Sequence, residues 1–141
     1  MIPMCNDKHW TLMHVKVGQG EEENKMVLYD SLGPRDVPRA NPTSPVYTFS
    51  RLVATVLNRV GMRDRQARLR GEWPLERGVM QVQVDGWSCG YHMLVMMDML
   101  AQGYTERMCL QMYSARKDMK TIRQYYGRWL LMTNVVSQGS N

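Results

Sequence analysis

Phenylalanine is almost missing from this chain: Phe49 stands alone among 141 residues, against 14 methionines. The apolar interior must therefore be filled largely by the flexible, polarisable methionine side chain. Long hydrophobic runs are missing too. The longest, Met93-Leu94-Val95-Met96-Met97, stops at Asp98, far short of the ~20 residues a membrane-spanning helix needs. The N-terminus carries no basic segment with an apolar core behind it, so no secretion signal is read. Cysteine is scarce, and Cys5, Cys89 and Cys109 are odd in number and widely spaced. That argues against a disulfide framework and for a reducing, intracellular setting, nucleus or cytoplasm. No C-x-x-C occurs, and His9 and His14 fall on opposite faces of one strand. Neither a zinc site nor any cofactor is expected.

What is present is ordinary for a globular protein: 44% hydrophobic and 22% charged residues. The length suits one domain over 1–141, its core running from about 9 to 132, with a polar tail at 137–141 that frays. The net charge of +5 comes largely from arginine. Arg59, Arg63, Arg65, Arg68 and Arg70 fall close together with only Asp64 opposing them. No aromatic residues interleave with them, which favours a solvated helix end and loop over a nucleic-acid surface. An acidic protein substrate is also compatible with such a charge.

Trp10 to Val17 is rich in strand formers though it alternates imperfectly, and Lys25 to Asp30 reads as the returning strand of a hairpin. Pro34, Pro38, Pro42 and Pro45 mark a loop, after which Ser44 caps a helix with Pro45 at its first position. Leu52, Val53, Val56, Leu57 and Val60 recur at helical spacing. Arg77 to Val84 reads as a short strand leading into an Asp85-Gly86 turn. Cys89 to Gln102, apolar nearly all round, reads as a buried central helix capped by Gly103. A last helix is expected from about Ser114 to Met132. The order β-β-α-β-α-α describes an α+β fold, a helix packed on an antiparallel sheet.

The chemistry gathers around Cys89. A cysteine at a helix N-terminus meets unpaired backbone N–H groups and the positive end of the macrodipole, a setting that suits an anionic sulfur. A thiol nucleophile also needs a base, a carboxylate to orient it and a donor for the oxyanion. His9 on the first strand and Asp30 at the end of the second are candidates for the first two. His14 lies on the opposite face from His9, and His92, one turn into the cysteine helix, is within reach of Cys89. Taken singly, each has a plainer reading: Cys89 a small buried hydrophobe, Asp30 a loop cap, Gln83 a solvent-facing strand residue.

Together, His9-Trp10, Asp30-Ser31-Leu32 and Gln83-Val84-Asp85-Gly86-Trp87-Ser88-Cys89-Gly90 change that. In residues and order they resemble the ubiquitin-like-protein-specific (SUMO/sentrin-type) cysteine proteases, which share a papain-like core with adenain. The resemblance spans residues 9 to roughly 132. It implies a nucleophile-bearing central helix against an antiparallel sheet, with Cys89 as nucleophile, His9 as base, Asp30 as its orienting acid and Gln83 as oxyanion donor. Trp10 would form one wall of a narrow tunnel for a substrate's Gly-Gly tail. Ser88 and Asp85 stand where the family often has an acidic residue and an asparagine. Only eight residues precede His9, so the family's N-terminal lobe, with its second tunnel tryptophan, is expected to be missing.

The implied function is a peptidase or isopeptidase that processes or deconjugates SUMO or a related ubiquitin-like modifier through an acyl-enzyme on Cys89. The implied partner is such a modifier with a Gly-Gly C-terminus, or its conjugates. The alternatives are a viral or transposon-type polyprotein protease or an acyltransferase on the same core, and a non-catalytic binding module left by truncation.

Overall fold

The computed structural model describes residues 1–18, 24–33, 45–59, 73–115 and 119–138. Strands β2 (His9–Lys16) and β3 (Lys25–Tyr29) form the expected antiparallel hairpin, with Leu12 opposite Tyr29 and Lys16 opposite Lys25. Leu12 and Met13 are adjacent and both fully buried, because the sheet is covered on both faces. That double burial is why β2 does not alternate cleanly.

Residues 2–6, outside the expected core, form a further strand, β1 (Ile2–Asn6), antiparallel to β2 with Asn6 opposite His9. Asp7 and Lys8 turn the chain at φ 47° and 65°. Two successive left-handed residues make the tight hairpin turn whose twist matches the strands, here without the usual glycine.

The fourth strand adds one parallel pair to the expected antiparallel sheet. β4 (Leu75–Arg77) pairs with β3 in parallel, Met26 opposite Leu75, giving the order β1-β2-β3-β4. A parallel neighbour requires a crossover, and helix α1 (Pro45–Arg59) lies in the intervening chain. Beyond Arg77, the expected strand continues only as a connection. It is tied to the β3 end by Gly78 N–H donating to the Leu28 carbonyl (2.9 Å) and Gln83 N–H to that of Ser31 (2.7 Å). Gly78 has to be glycine, since an added Cβ would fall 2.1 Å from Cε1 of the Tyr29 ring.

Helix α1 starts at Pro45 as expected, but its buried face differs. Val46, Phe49, Val53, Ala54 and Leu57 turn towards the sheet, whereas Leu52 and Val56 are exposed. The second set is also helically spaced but lies on the other side. Ser44, Val60, Pro34, Pro38 and Pro42, and from the arginine cluster Arg63, Arg65, Arg68 and Arg70, lie outside the described residues; Arg59 closes α1 and is exposed.

Helix α2 (Cys89–Ala101) is the expected buried central helix. It ends in a Schellman motif: Tyr104 N–H donates to the Met99 carbonyl, Gly103 N–H to that of Leu100, and Gly103 takes φ 83°. The last expected helix, about Ser114 to Met132, corresponds to α4 (Met119–Gln138), and a helix that was not expected, α3 (Glu106–Ala115), precedes it.

Methionine fills the interior as composition demands. Met93, Met96 and Met99 of α2 pack on Leu12, Val27 and Tyr29 of the sheet, with Cys109, Tyr113 and Ile122 behind them. Each such burial contributes roughly 1.5–3 kcal/mol, and truncating Met96 to alanine is expected to cost about 2–5 kcal/mol. On the sheet's other face Met13 and Met26 pack on Ala54 and Trp73. No helix among the described residues is long and apolar enough to cross a membrane.

Candidate active site

Cys89 is the first residue of α2, 5% exposed, and its thiol rests against the start of β2. The Trp10 backbone N–H donates to Sγ at 3.5 Å, and the thiol points to the Lys8 carbonyl at 4.0 Å. These are the two neighbours of His9, so helix and strand meet at the histidine that, among the described residues, has a carboxylate partner. His9 Nε2 lies 2.8 Å from Asp30 Oδ1. A carboxylate oxygen accepts, so Nε2 is the donor in this bond and Nδ1 is the nitrogen not engaged by Asp30. Asp30 Oδ1 also accepts the Leu32 N–H at 2.9 Å, which makes Asp30 both a turn-forming loop residue and the partner of His9.

The other two histidines are placed differently. His92 Nδ1 bonds the Tyr113 hydroxyl at 2.8 Å and is buried. Burial lowers its pKa, which keeps it neutral, and burial pushes Tyr113 up to about 12. His14 is half-buried with Nδ1 unpartnered, and burial lowers its pKa as well, helped by Lys16. Neither sits beside a carboxylate as His9 does.

Gln83 departs from the solvent-facing residue that its sequence suggests. It is 8% exposed, with Oε1 accepting from Ser31 Oγ at 2.5 Å and Nε2 donating to the Asp85 carbonyl at 2.6 Å. Removing this amide strands the buried Ser31 hydroxyl and frees the Asp85 carbonyl, so Gln83→Ala is expected to cost about 1–3 kcal/mol of stability. Asp85 in turn organises the approach to α2, Oδ1 accepting the N–H groups of Trp87 (3.0 Å) and Ser88 (2.8 Å). Contact with Ser88 holds the Asp85 carboxyl below its usual range against the cost of desolvation, and the Trp87 and Ser88 N–H groups lower it further. The first bonds of α2 run from Tyr91 and His92 N–H to the Ser88 carbonyl, leaving the Cys89 N–H without an intrahelical acceptor.

A family model described as the Ulp1 protease family, C-terminal catalytic domain, matches residues 1–129. The chain belongs to the Ulp1 protease family. Membership makes it a cysteine-protease domain of mixed α+β architecture. Comparison with curated proteins and with solved structures returns no match.

Around the Ulp1-type site two tryptophans are exposed. Trp10 is 41% exposed, and its indole lies over the first turn of α2: a Cβ added at Gly90 would come 3.4 Å from Trp10 Cδ1. Gly90 thus lies directly beneath the Trp10 indole. Trp87 is 54% exposed, edge-on to Tyr91 (6.3 Å) and with the Arg123 guanidinium 5.2 Å from its ring centroid. Sequence reasoning gave Trp87 no role and did not find the Ser31 contact with Gln83. The signal for Trp87 was its place two residues before Cys89. Among the described residues no group of His, Cys, Asp and Glu side chains could hold a metal ion.

Proposed function

We propose that this domain cleaves the peptide or isopeptide bond that follows the Gly-Gly C-terminus of SUMO or a related ubiquitin-like modifier. Cys89 is the nucleophile, His9 the base and Asp30 the residue that orients His9. The observation that carries the reading is the 2.8 Å His9–Asp30 bond with the Cys89 thiol held against both neighbours of His9.

The steps follow from the groups present. His9 Nδ1 takes the thiol proton, and the sulfur attacks the glycine carbonyl carbon. The carbonyl oxygen becomes an oxyanion, received by the Cys89 N–H and the second Nε2 hydrogen of Gln83, each such donor being worth about 3–4 kcal/mol in the transition state. The C–N bond then breaks, and His9 returns the proton to the departing amine. Water, deprotonated by His9, attacks the thioester and releases the modifier's carboxylate and the free thiol. Trp10 would flank the narrow approach that a Gly-Gly tail can use and bulkier residues cannot.

The test is covalent capture by full-length modifiers ending in a Gly-Gly electrophile. Labelling of Cys89 by a SUMO-type probe, lost in Cys89→Ala and His9→Ala, is the expected result. Failure of every modifier probe, with turnover of internal peptide bonds instead, would transfer the domain to polyprotein processing.

A further inference from the structure

The Gln83 amide is held at both ends, and the two partners are not equivalent. The Asp85 backbone carbonyl can only accept, so it fixes which end of the amide is Nε2. The other end is then Oε1, and among the described residues the group bonded to it is the Ser31 hydroxyl, which must donate. Ser31 is 1% exposed, and its own carbonyl receives the Gln83 backbone N–H. One of the two Nε2 hydrogens is committed to Asp85, leaving one N–H on a carboxamide that cannot rotate without breaking a buried bond. Ser31 also directly follows Asp30, so the residue bracing the amide adjoins the carboxylate that orients His9.

Resting on the proposed role of Gln83 as oxyanion donor, we infer that Ser31 is a positioning residue for that donor. Its hydroxyl locks the carboxamide so that the single free N–H is fixed before substrate arrives. Pre-set donors assist because no reorganisation is needed at the moment charge develops. The effect should therefore appear in kcat and not in KM.

The experiment is a double-mutant cycle on a peptide ending in Gly-Gly-fluorophore, using Ser31→Ala, Gln83→Ala and the pair. Turnover is taken per Cys89 labelled by a Gly-Gly vinyl-electrophile peptide, so that misfolded protein does not count. Ser31→Ala is expected to lower kcat on the order of tenfold with KM within about twofold. In the Gln83→Ala background the same change should alter kcat by less than about twofold, because the group it positions is gone. Ser31→Thr, which keeps the hydroxyl, should recover most of kcat, and it supplies the comparison if Ser31→Ala folds poorly. Equal losses in both backgrounds would overturn the positioning role, leaving Ser31 a packing residue, while the oxyanion role of Gln83 stood. A Gln83→Ala variant with kcat near the parent's would overturn both.

Discussion

Two buried thiols invite comparison. Cys89 and Cys109 are 5% and 2% exposed, and both lie in the first turns of helices. The start of α3 is even the better capped, Thr105 Oγ1 accepting the Met108 N–H at 3.3 Å. Burial and a helix start therefore do not distinguish them. Their carboxylate neighbourhoods do. Beside Cys89, Asp30 holds His9 through Nε2, and Nδ1 takes no part in that bond. Near Cys109, Glu106 is spent on Lys16 (3.0 Å), the Tyr29 hydroxyl (2.9 Å) and the Val79 N–H (3.3 Å), with no imidazole in the set. Burial, with a smaller push from Glu106's charge, raises the Cys109 pKa, so that sulfur stays a protonated, inert core atom. Among the described residues, Cys89 is the buried thiol held against both chain neighbours of a histidine that a carboxylate engages, and the proposed triad rests on that contrast.

The largest break in the comparison is at the sulfurs themselves. Cys89→Ala should reduce Gly-Gly-fluorophore turnover to background while shifting stability by no more than about 1 kcal/mol. Cys109→Ala should leave kcat per folded molecule unchanged and cost about 1 kcal/mol by opening a small gap behind Tyr113. The reverse pattern in a turnover assay would place the chemistry at α3 and sink the assignment.

A smaller break is at the carboxylates. Asp30→Asn can still accept from His9 and Leu32, but it no longer supports a developing imidazolium. Loss of kcat by ~10²–10⁴-fold is expected, with KM little changed. Glu106→Gln removes a carboxylate of similar burial and should leave kcat within about twofold. Steady-state kinetics of the two variants side by side decide the point; equal losses would mean that both carboxylates act through the fold.

Labelling gives a third contrast. Iodoacetamide at neutral pH should modify Cys89 in the folded protein and reach Cys109 only at the rate of unfolding. Peptide mapping of the alkylated sites reads this directly, and comparable labelling of both thiols in the native state would contradict it.

The legible part of this molecule was local in sequence. His9-Trp10, Asp30-Ser31-Leu32 and the Gln83–Cys89 spacing are short strings whose residue types name their chemistry, and the hairpin and α2 follow from runs of strand and core formers. Illegible features depend on distant partners. β1 holds Pro3 and Asn6, lacks clean alternation, and turns at Asp7 and Lys8 with no glycine to mark the bend. The parallel pairing of β4 depends on how the crossover returns, which no local pattern records. The buried face of α1 was misjudged because two apolar stripes compete and only the sheet chooses between them. Ser31 escaped notice because its partner lies 52 residues away.

The smallest effect expected separates the two carboxylates by pH. Burial pushes the Glu106 carboxyl up, but the hydrogen bonds from Lys16 and Tyr29, with the Val79 N–H, outweigh it and leave the pKa below the ordinary 4.5. A carboxyl depressed in the folded state stays ionised there after the unfolded chain has begun to take up its proton. Its stabilisation is therefore complete above about pH 4.5 and is lost as the pH falls through the lower folded value. Urea titrations at steps between about pH 6 and pH 3 should show the parent losing stability towards the acid end. In Glu106→Gln that loss should be shallower, by about 1 kcal/mol or less because the pair with Lys16 is partly open to solvent. Above about pH 5 the variant should lie below the parent by a constant offset, the cost of the bonds from Lys16, Tyr29 and Val79. Parallel curves over the whole range would mean that Glu106 is held by geometry alone, and the charge set against the Cys109 sulfur would then need another source.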